Sequence, residues 1–448
     1  MKNRYGTIAL VFCMVMAFKT EAQIDTATHH EFSVAQCIEY AAKNNLQVKN
    51  ALLDLKIQQQ TNRGITAQAL PSVSGAASLN DYLNIPTTLL PGEFFGQPPG
   101  SFIPVKFGTK YNSNVGINLQ QVLFDGQVFV GLQARQTSLD YYQKTIEVTE
   151  ENIKANIYKV YYQLVVSKTQ IDQLDANIER AQKLLSDAKA MYTNGFAEKL
   201  EIDRATVQLA NLQTEKLKVQ TTIDNGYLGL KFLMGMPVKQ TLVLTDSITD
   251  DKIKEGLLND GVYAYTDRKD YQLIDYAKKL GEFNVKRYKL TYIPTLNLNG
   301  NYSKQAQRTK FDIFGKGDWF TTSYVGLSMN IPIFDGFLKD ANIKKAKLQL
   351  SQTLNQQENL KISIDNDVVQ ATNNFHTAIT TLDFQKQNMQ LAEQVYNQAK
   401  KKFEVGTGSS TDITNAQTDL RTAQSNYINA LYTAIIAKVD YVKAIGKL

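Results

Sequence analysis

Cysteine is almost missing from this chain: among 448 residues there are two, Cys13 and Cys37. Cys13 falls inside an apolar leader, so the mature chain keeps one thiol and cannot form an internal disulfide. Cys37 is expected as a small buried hydrophobe on the first helix. Histidine is as scarce, with only His29, His30 and His376. The first two fall in a mature N-terminus expected to be flexible, and the third sits alone in a long helical stretch. These residues assemble no convincing metal or nucleophile site. No catalytic group, cofactor site or metal site is read from the chain, and it is not expected to be an enzyme. A long apolar run is missing too. After the leader nothing approaches the roughly eighteen residues of a transmembrane helix.

The leader itself reads as an export signal over residues 1–22. Lys2 and Arg4 make a charged start, Ile8 to Phe18 a short apolar core, and Thr20-Glu21-Ala22 a cleavage site. The core is too short for an anchor. Removing Lys2, Arg4 and Lys19 from 49 basic residues and Glu21 from 43 acidic ones leaves 46 against 42. That balance argues against nucleic acid as a partner. An exported chain without a transmembrane helix is either soluble or a membrane barrel.

Proline is absent from most of the chain. Eight of nine prolines (71, 86, 91, 98, 99, 104, 294 and 332) fall in two windows, 71–124 and 294–334, and Pro237 lies between the halves. Inside the windows the period is two. Tyr111, Ser113, Val115, Ile117 and Leu119 oppose Asn112, Asn114, Gly116, Asn118 and Gln120. Leu296, Leu298, Gly300 and Tyr302 oppose Thr295, Asn297, Asn299 and Asn301, and Val325, Leu327 and Met329 oppose Gly326, Ser328 and Asn330. Each window predicts two strands of about ten residues joined by a loop. The strands are placed at about 71–83, 110–124, 294–304 and 321–334.

Outside the windows the period is 3.5, as in Ile157, Leu164, Leu174, Ala181 and Ala188, or Ile413, Ala416, Leu420, Ala423 and Tyr427. Sustained heptads predict helices packed side by side. They are expected over 33–68, 127–194 and 199–234, then 256–290, 337–402 and 411–446. The longest would reach about 100 Å at about 1.5 Å per residue. The chain also repeats itself. Val115-Gly-Ile-Asn-Leu-Gln-Gln-Val-Leu-Phe-Asp-Gly126 returns as Val325-Gly-Leu-Ser-Met-Asn-Ile-Pro-Ile-Phe-Asp-Gly336. The long segments that follow break at Gly195 and Gly406. Two structural repeats are therefore expected, 23–240 and 241–448, each giving two strands and long helices.

Strands apolar on one face and rich in Asn and Ser on the other fit a transmembrane β-barrel. Four strands cannot close one, and open edges are not tolerated in lipid. The chain must oligomerise: two copies would give eight strands, three would give twelve and room for a passage.

The whole mature length resembles the TolC-type outer-membrane efflux proteins. The resemblance rests on the duplicated plan, on Ile331-Pro-Ile-Phe-Asp-Gly336 entering a long helix, and on the hairpin tips. Those tips are Tyr192-Thr-Asn-Gly-Phe-Ala-Glu-Lys-Leu-Glu-Ile-Asp-Arg-Ala205 and Phe403-Glu-Val-Gly-Thr-Gly-Ser-Ser-Thr-Asp-Ile-Thr-Asn-Ala416. It implies a mixed fold, a twelve-stranded trimeric barrel in the outer membrane joined to an α-helical tunnel in the periplasm. It implies a passive exit duct, with a periplasmic adaptor (membrane fusion protein) and an inner-membrane RND or ABC transporter as partners.

The resemblance also places the candidate sites. Asp412 matches an acidic ring at the tunnel entrance, and Asn415 stands where the best-known type has a second acid. Phe403 and Gly408 stand where that type has a gating tyrosine and arginine. Glu201 remains as an acid on the facing hairpin without its arginine partner. Gly195, Phe196, Gly406, Thr407, Gly408 and Ser409 are the adaptor-facing tip residues. Two plainer readings stand beside these: Asp412 as a helix cap, and the glycines as turn residues. A type I protein-secretion channel would use the same architecture. A soluble periplasmic coiled-coil scaffold is the rival from another class.

Overall fold

The computed structural model describes residues 29–246, 253, 263–312, 315 and 317–448. The signal segment and 254–262 lie outside the described residues. In chain order the elements are β1 (His29–Phe32), α1 (Val34–Asn44), α2 (Leu46–Gln68), β2 (Ser72–Asp81), β3 (Thr87–Pro91), β4 (Phe102–Lys106) and β5 (Tyr111–Phe124). Then come α3 (Gly126–Thr193), α4 (Lys199–Met234), β6 (Thr241–Leu244), α5 (Lys269–Lys289), β7 (Thr295–Arg308), β8 (Phe320–Asn330), α6 (Leu338–Glu404) and α7 (Ser410–Ala444). Helices α3 and α6 run 68 and 67 residues without a break. Two compact units emerge, and they do not follow the sequence repeats. Each draws on both halves, because hairpins of the two halves pack together inside it.

One unit comprises Met1–Asn45, Asn156–Ile253 and Leu382–Ile435. Its N-terminal segment departs from expectation: His29–Phe32 is a strand paired in parallel with β6, His29 against Thr241. Tyr161 fixes that pairing by donating its hydroxyl to the Phe32 carbonyl at 3.1 Å and accepting the Asp246 N–H at 3.2 Å. Ser33 and Gln36 close a capping box at the start of α1. Cys37 is fully buried on α1, and burial, with the nearby Asp246 carboxylate, pushes its thiol up to about 12.

The helix expected over 33–68 is two helices. Asn45 turns to an extended conformation (ψ 132°) and its amide donates to the Leu233 carbonyl at 2.7 Å. The end of α4 passes close beside this break: a Cβ on Gly235 would meet the Asn44 carbonyl oxygen at 2.5 Å. The heptad seam is buried as its spacing requires. Leu174, Ala181 and Leu212 form one cluster, and Tyr396, Ile413, Ala416 and Leu420 another, with Phe403 packed against the second. Polar ties cross between helices at Asn177–Gln424 (2.8 Å), Lys216–Asp175 (2.5 Å) and Arg421–Glu215 (3.3 Å). Asn177 is only 2% exposed. Such a buried polar contact in an apolar seam fixes register.

The other unit comprises Leu46–Ala155, Lys254–Thr381 and Ile436–Leu448. It holds a four-stranded antiparallel sheet in the order β2-β5-β7-β8. The pairings run Val73↔Leu119, Leu119↔Gly300 and Gly300↔Val325, so the apolar parity of every strand lies on one face. That face is bare: Val115, Ile117, Val325, Leu327 and Met329 are exposed, Val325 to 77%. The opposite face is a polar ladder. Asn301 donates to Asn118 Oδ1, Asn299 to Ser328 Oγ, both at 2.7 Å, and Ser303 to Asn301 Oδ1 at 3.1 Å. Strands β5 and β7 reach 14 residues. β8 stops at Asn330, short of the expected 334, because Pro332 has no N–H for a ladder bond. The first loop is not plain loop but carries the β3–β4 hairpin.

α5 begins at Lys269, and the helix start expected near 256 lies outside the described residues. Ahead of it, Tyr263 and Tyr265 both donate to the Asp365 carboxylate (2.6 and 2.9 Å). Arg268 grips Asp270 with two bonds and donates to the Ala444 carbonyl. The duplicated Phe-Asp-Gly acquires a reason here. Asp125 Oδ1 accepts the Gln127 N–H at 2.7 Å and Asp335 Oδ2 the Lys339 N–H at 3.1 Å, so each aspartate caps the helix it opens. The glycines differ in purpose. A Cβ on Gly126 would strike Leu290 Cβ at 2.5 Å, whereas Gly336 has open space but a left-handed φ of 65°, followed by Phe337 at 66°.

Candidate functional site

The hairpin tips are built by one device used twice. At the end of α3 Gly195 takes φ 77°, its N–H bonds the Tyr192 carbonyl, and the Phe196 N–H reaches back to Met191 O at 2.8 Å. At the end of α6 Gly406 takes φ 75°, its N–H bonds the Phe403 carbonyl, and the Thr407 N–H reaches Lys402 O at 2.9 Å. Both are left-handed glycine C-caps of the Schellman type. Gly408 adds a second N–H to Lys402 O at 3.0 Å, and a Cβ there would crowd the Phe403 nitrogen at 3.0 Å. The turn reading of these glycines is thus built into the backbone.

The helix starts that follow differ. Ser409 caps α7: its Oγ accepts the Asp412 N–H at 3.1 Å while Asp412 Oδ2 accepts the Ser409 N–H at 3.2 Å. Ser409, through its side chain and then its backbone, holds the exposed Asp412 carboxyl below its usual value. The cap reading of Asp412 is therefore realised, with Ser409 as the capping residue and Asp412 its reciprocal partner. The matching positions on the other tip, 211 residues earlier, are Glu198 and Glu201. Glu198 makes no side-chain cap.

Glu201, released from capping, reaches across. Its Oε2 accepts the Ser410 hydroxyl at 2.5 Å, and its Oε1 accepts Arg204 Nη1 at 3.1 Å. Glu201 is therefore paired with an arginine one turn along its own helix, a different residue from the facing-hairpin partner whose absence was expected. Ser410 was not singled out from sequence, since its partner lies 209 residues away.

Asp412 and Asn415 lie three residues apart on one exposed face of α7, and that face continues as Asp419, Thr422, Asn426, Asn429 and Thr433. Phe196 at one tip and Val405 at the other stand 80% and 72% exposed. Phe403 packs against the Tyr396 cluster and Gly408 belongs to the turn.

The sequence model described as outer membrane efflux protein matches residues 37–236 and 284–447. The chain belongs to the outer membrane efflux protein family. The outer membrane protein TolC of Salmonella enteritidis is similar to it, 21% identical over 353 residues, covering 75% of this chain and 70% of the relative. The outer membrane efflux protein BepC of Brucella suis biovar 1 is 20% identical over 420 residues, 91% and 84% of the two chains. Among solved structures CusC superposes with a TM-score of 0.77 at 15% identity, covering 92% of each chain. As a member of the outer membrane efflux protein family, the chain is an exit duct of efflux systems and resides in the outer membrane.

Proposed function

We propose that three copies close a twelve-stranded barrel through the outer membrane, continued in the periplasm by a tunnel of their paired helices. The observation that carries this reading is surface left without a partner. The sheet ends in two open edges, β2 and β8, beside a bare apolar face, and open edges are unstable in lipid. Helix α4 exposes Leu200, Val207 and Leu228, and α6 exposes Leu348, Ile362 and Val369, mostly at multiples of seven residues. Apolar heptad stripes of that kind seek another helix. Helix α7 presents the opposite surface, a polar one from Asp412 to Thr433, which suits a water-filled lumen.

In this assembly the duct is passive and carries small molecules. An inner-membrane RND or ABC transporter supplies the energy through a periplasmic adaptor. Asp412, Asn415 and Glu201 line the constriction, where converging carboxylates favour cations. Gly195, Phe196, Gly406, Thr407, Gly408 and Ser409 meet the adaptor, and Phe196 offers it an apolar anchor. The signal over 1–22 is removed on export. Light scattering of the detergent-solubilised protein tests the assembly: the mass of three chains is expected, and a stable monomer or dimer overturns it. Single-channel recording of Asp412→Asn tests the constriction, where unchanged ion selectivity would remove Asp412 from the pore.

A further inference from the structure

The sheet meets its helices at one end, where α2 leads into β2 and β5 leads into α3. At the other end β2 and β5 are joined by an excursion with a hairpin of its own. β3 and β4 pair from Thr87↔Lys106 to Pro91↔Phe102, and a 3-10 turn, Gly92–Phe95, forms the tip. Residues 83–109 contain only two charges, Glu93 and Lys106. Their large apolar side chains point outward: Leu83 is 87% exposed, Phe94 83%, and Leu89, Phe95, Phe102 and Phe107 58–61%. A nearly uncharged aromatic surface of this kind in an exposed loop marks an interaction site.

We propose that the β3–β4 hairpin is a membrane seat, with Phe94 and Phe95 lodged in the outer leaflet beside the sheet. Polarity selects the occupant. The lumen-side candidate is the Asn and Ser ladder of the sheet, whose complement is water, so an apolar hairpin finds no match there. The bare face of Val115, Ile117 and Val325 is the surface of like chemistry, and lipid is what covers it. The near-absence of charge fits an acyl environment better than a protein rim, where polar and charged groups dominate. Depth is limited. Glu93 sits next to Phe94, and its Oε1 accepts the Gly100 N–H at 3.2 Å, which ties the carboxylate to the turn. The aromatic tip therefore stays shallow, at the level where interfacial aromatics settle.

The proposal rests on the barrel reading for the lipid side of the sheet, and one set of reporters separates the two. Trp319 is the single tryptophan, so Trp319→Phe gives a silent background for Phe94→Trp, Phe102→Trp and Val325→Trp. Each full-length variant is reconstituted in phosphatidylcholine vesicles carrying bromine at shallow or deep acyl positions. Expected is quenching of all three, with the Phe94→Trp reporter quenched more by shallow bromine and largely shielded from aqueous iodide. A quenched Val325→Trp reporter with unquenched, iodide-accessible hairpin reporters overturns the seat and leaves the barrel standing. Hairpin reporters shielded from both quenchers mean that a second copy covers them, which also overturns the seat. An unquenched Val325→Trp reporter overturns both readings.

Discussion

The two hairpin tips share one backbone and differ in one decision. Gly195 and Gly406 end their helices with nearly the same left-handed φ and the same pair of reverse hydrogen bonds. Three positions later the tips part. In one, serine at the cap engages the acid three residues on, and Asp412 is committed to its own helix. In the other, glutamate at the cap position leaves Glu201 with nothing to close, and it bonds Ser410 of the opposite tip. The lesson is about competition for a single carboxylate. A side chain needed for helix capping is withheld from longer-range contact, and a poor cap residue releases it.

The largest way to break the symmetry lies in the shared part. Valine at either left-handed glycine should cost about 1–3 kcal/mol of local stability, since neither position has a neighbour within 4 Å and only the backbone is strained. Hydrogen exchange of tip peptides should report similar losses for Gly195→Val and Gly406→Val. Unequal losses would show that the turns are not equivalent. Next comes the cross-tip bond. Ser410→Ala removes a charge-assisted contact to a half-buried carboxylate and should free residues 198–204 by about 1–2 kcal/mol, while leaving the 403–408 turn protected.

Smaller effects probe the cap itself. Ser409→Ala should weaken the start of α7 by about 1 kcal/mol. Glu198→Ser should do the reverse to α4, adding about 0.5–1 kcal/mol by creating Ser-x-x-Glu with Glu201. The informative readout is that this gain draws Glu201 away from Ser410, so exchange should slow at 199–202 and quicken at 409–411. Smallest is the pH response. The folded Asp412 carboxyl titrates below its ordinary value, so its contribution is present above about pH 4 and is lost as pH falls through the lower folded value. Exchange at 409–413, corrected for intrinsic rate, should stay constant from neutrality to about pH 4 and rise below it. The same peptides in Asp412→Asn should lack that acid limb.

Much of this was legible in residue patterns because the patterns are long. Ten alternating positions from Tyr111 to Gln120 fixed which face of β5 is apolar, and the pairing with β2 and β7 follows that parity. Heptads sustained through α7 bury Ile413, Ala416, Leu420 and Ala423 as their spacing demands. Short elements were not legible. His29–Phe32 spans four residues and becomes a strand only because β6 lies beside it. The Thr87–Pro91 and Phe102–Lys106 strands hide among prolines, although Pro-Gly-Glu-Phe-Phe-Gly between them is a turn signal. The break at Asn45 lies beside Gly235, 190 residues on. At the tips, Ser409-x-x-Asp412 could be read as a capping box. Glu201 meeting Ser410 could not, because the contact depends on how the hairpins pack.

One consequence concerns the asparagines of the sheet. In the proposed barrel their face is the wall along which cargo travels. Asn299 and Asn301 have each committed an amide hydrogen to a neighbour on the wall, and Ser303 its hydroxyl to Asn301. A surface that satisfies itself is wetted easily yet grips little. A solute passing over it meets water and amides already partly engaged with one another. Such a wall discriminates weakly between cargoes, leaving the choice of what is expelled to whatever loads the duct from below.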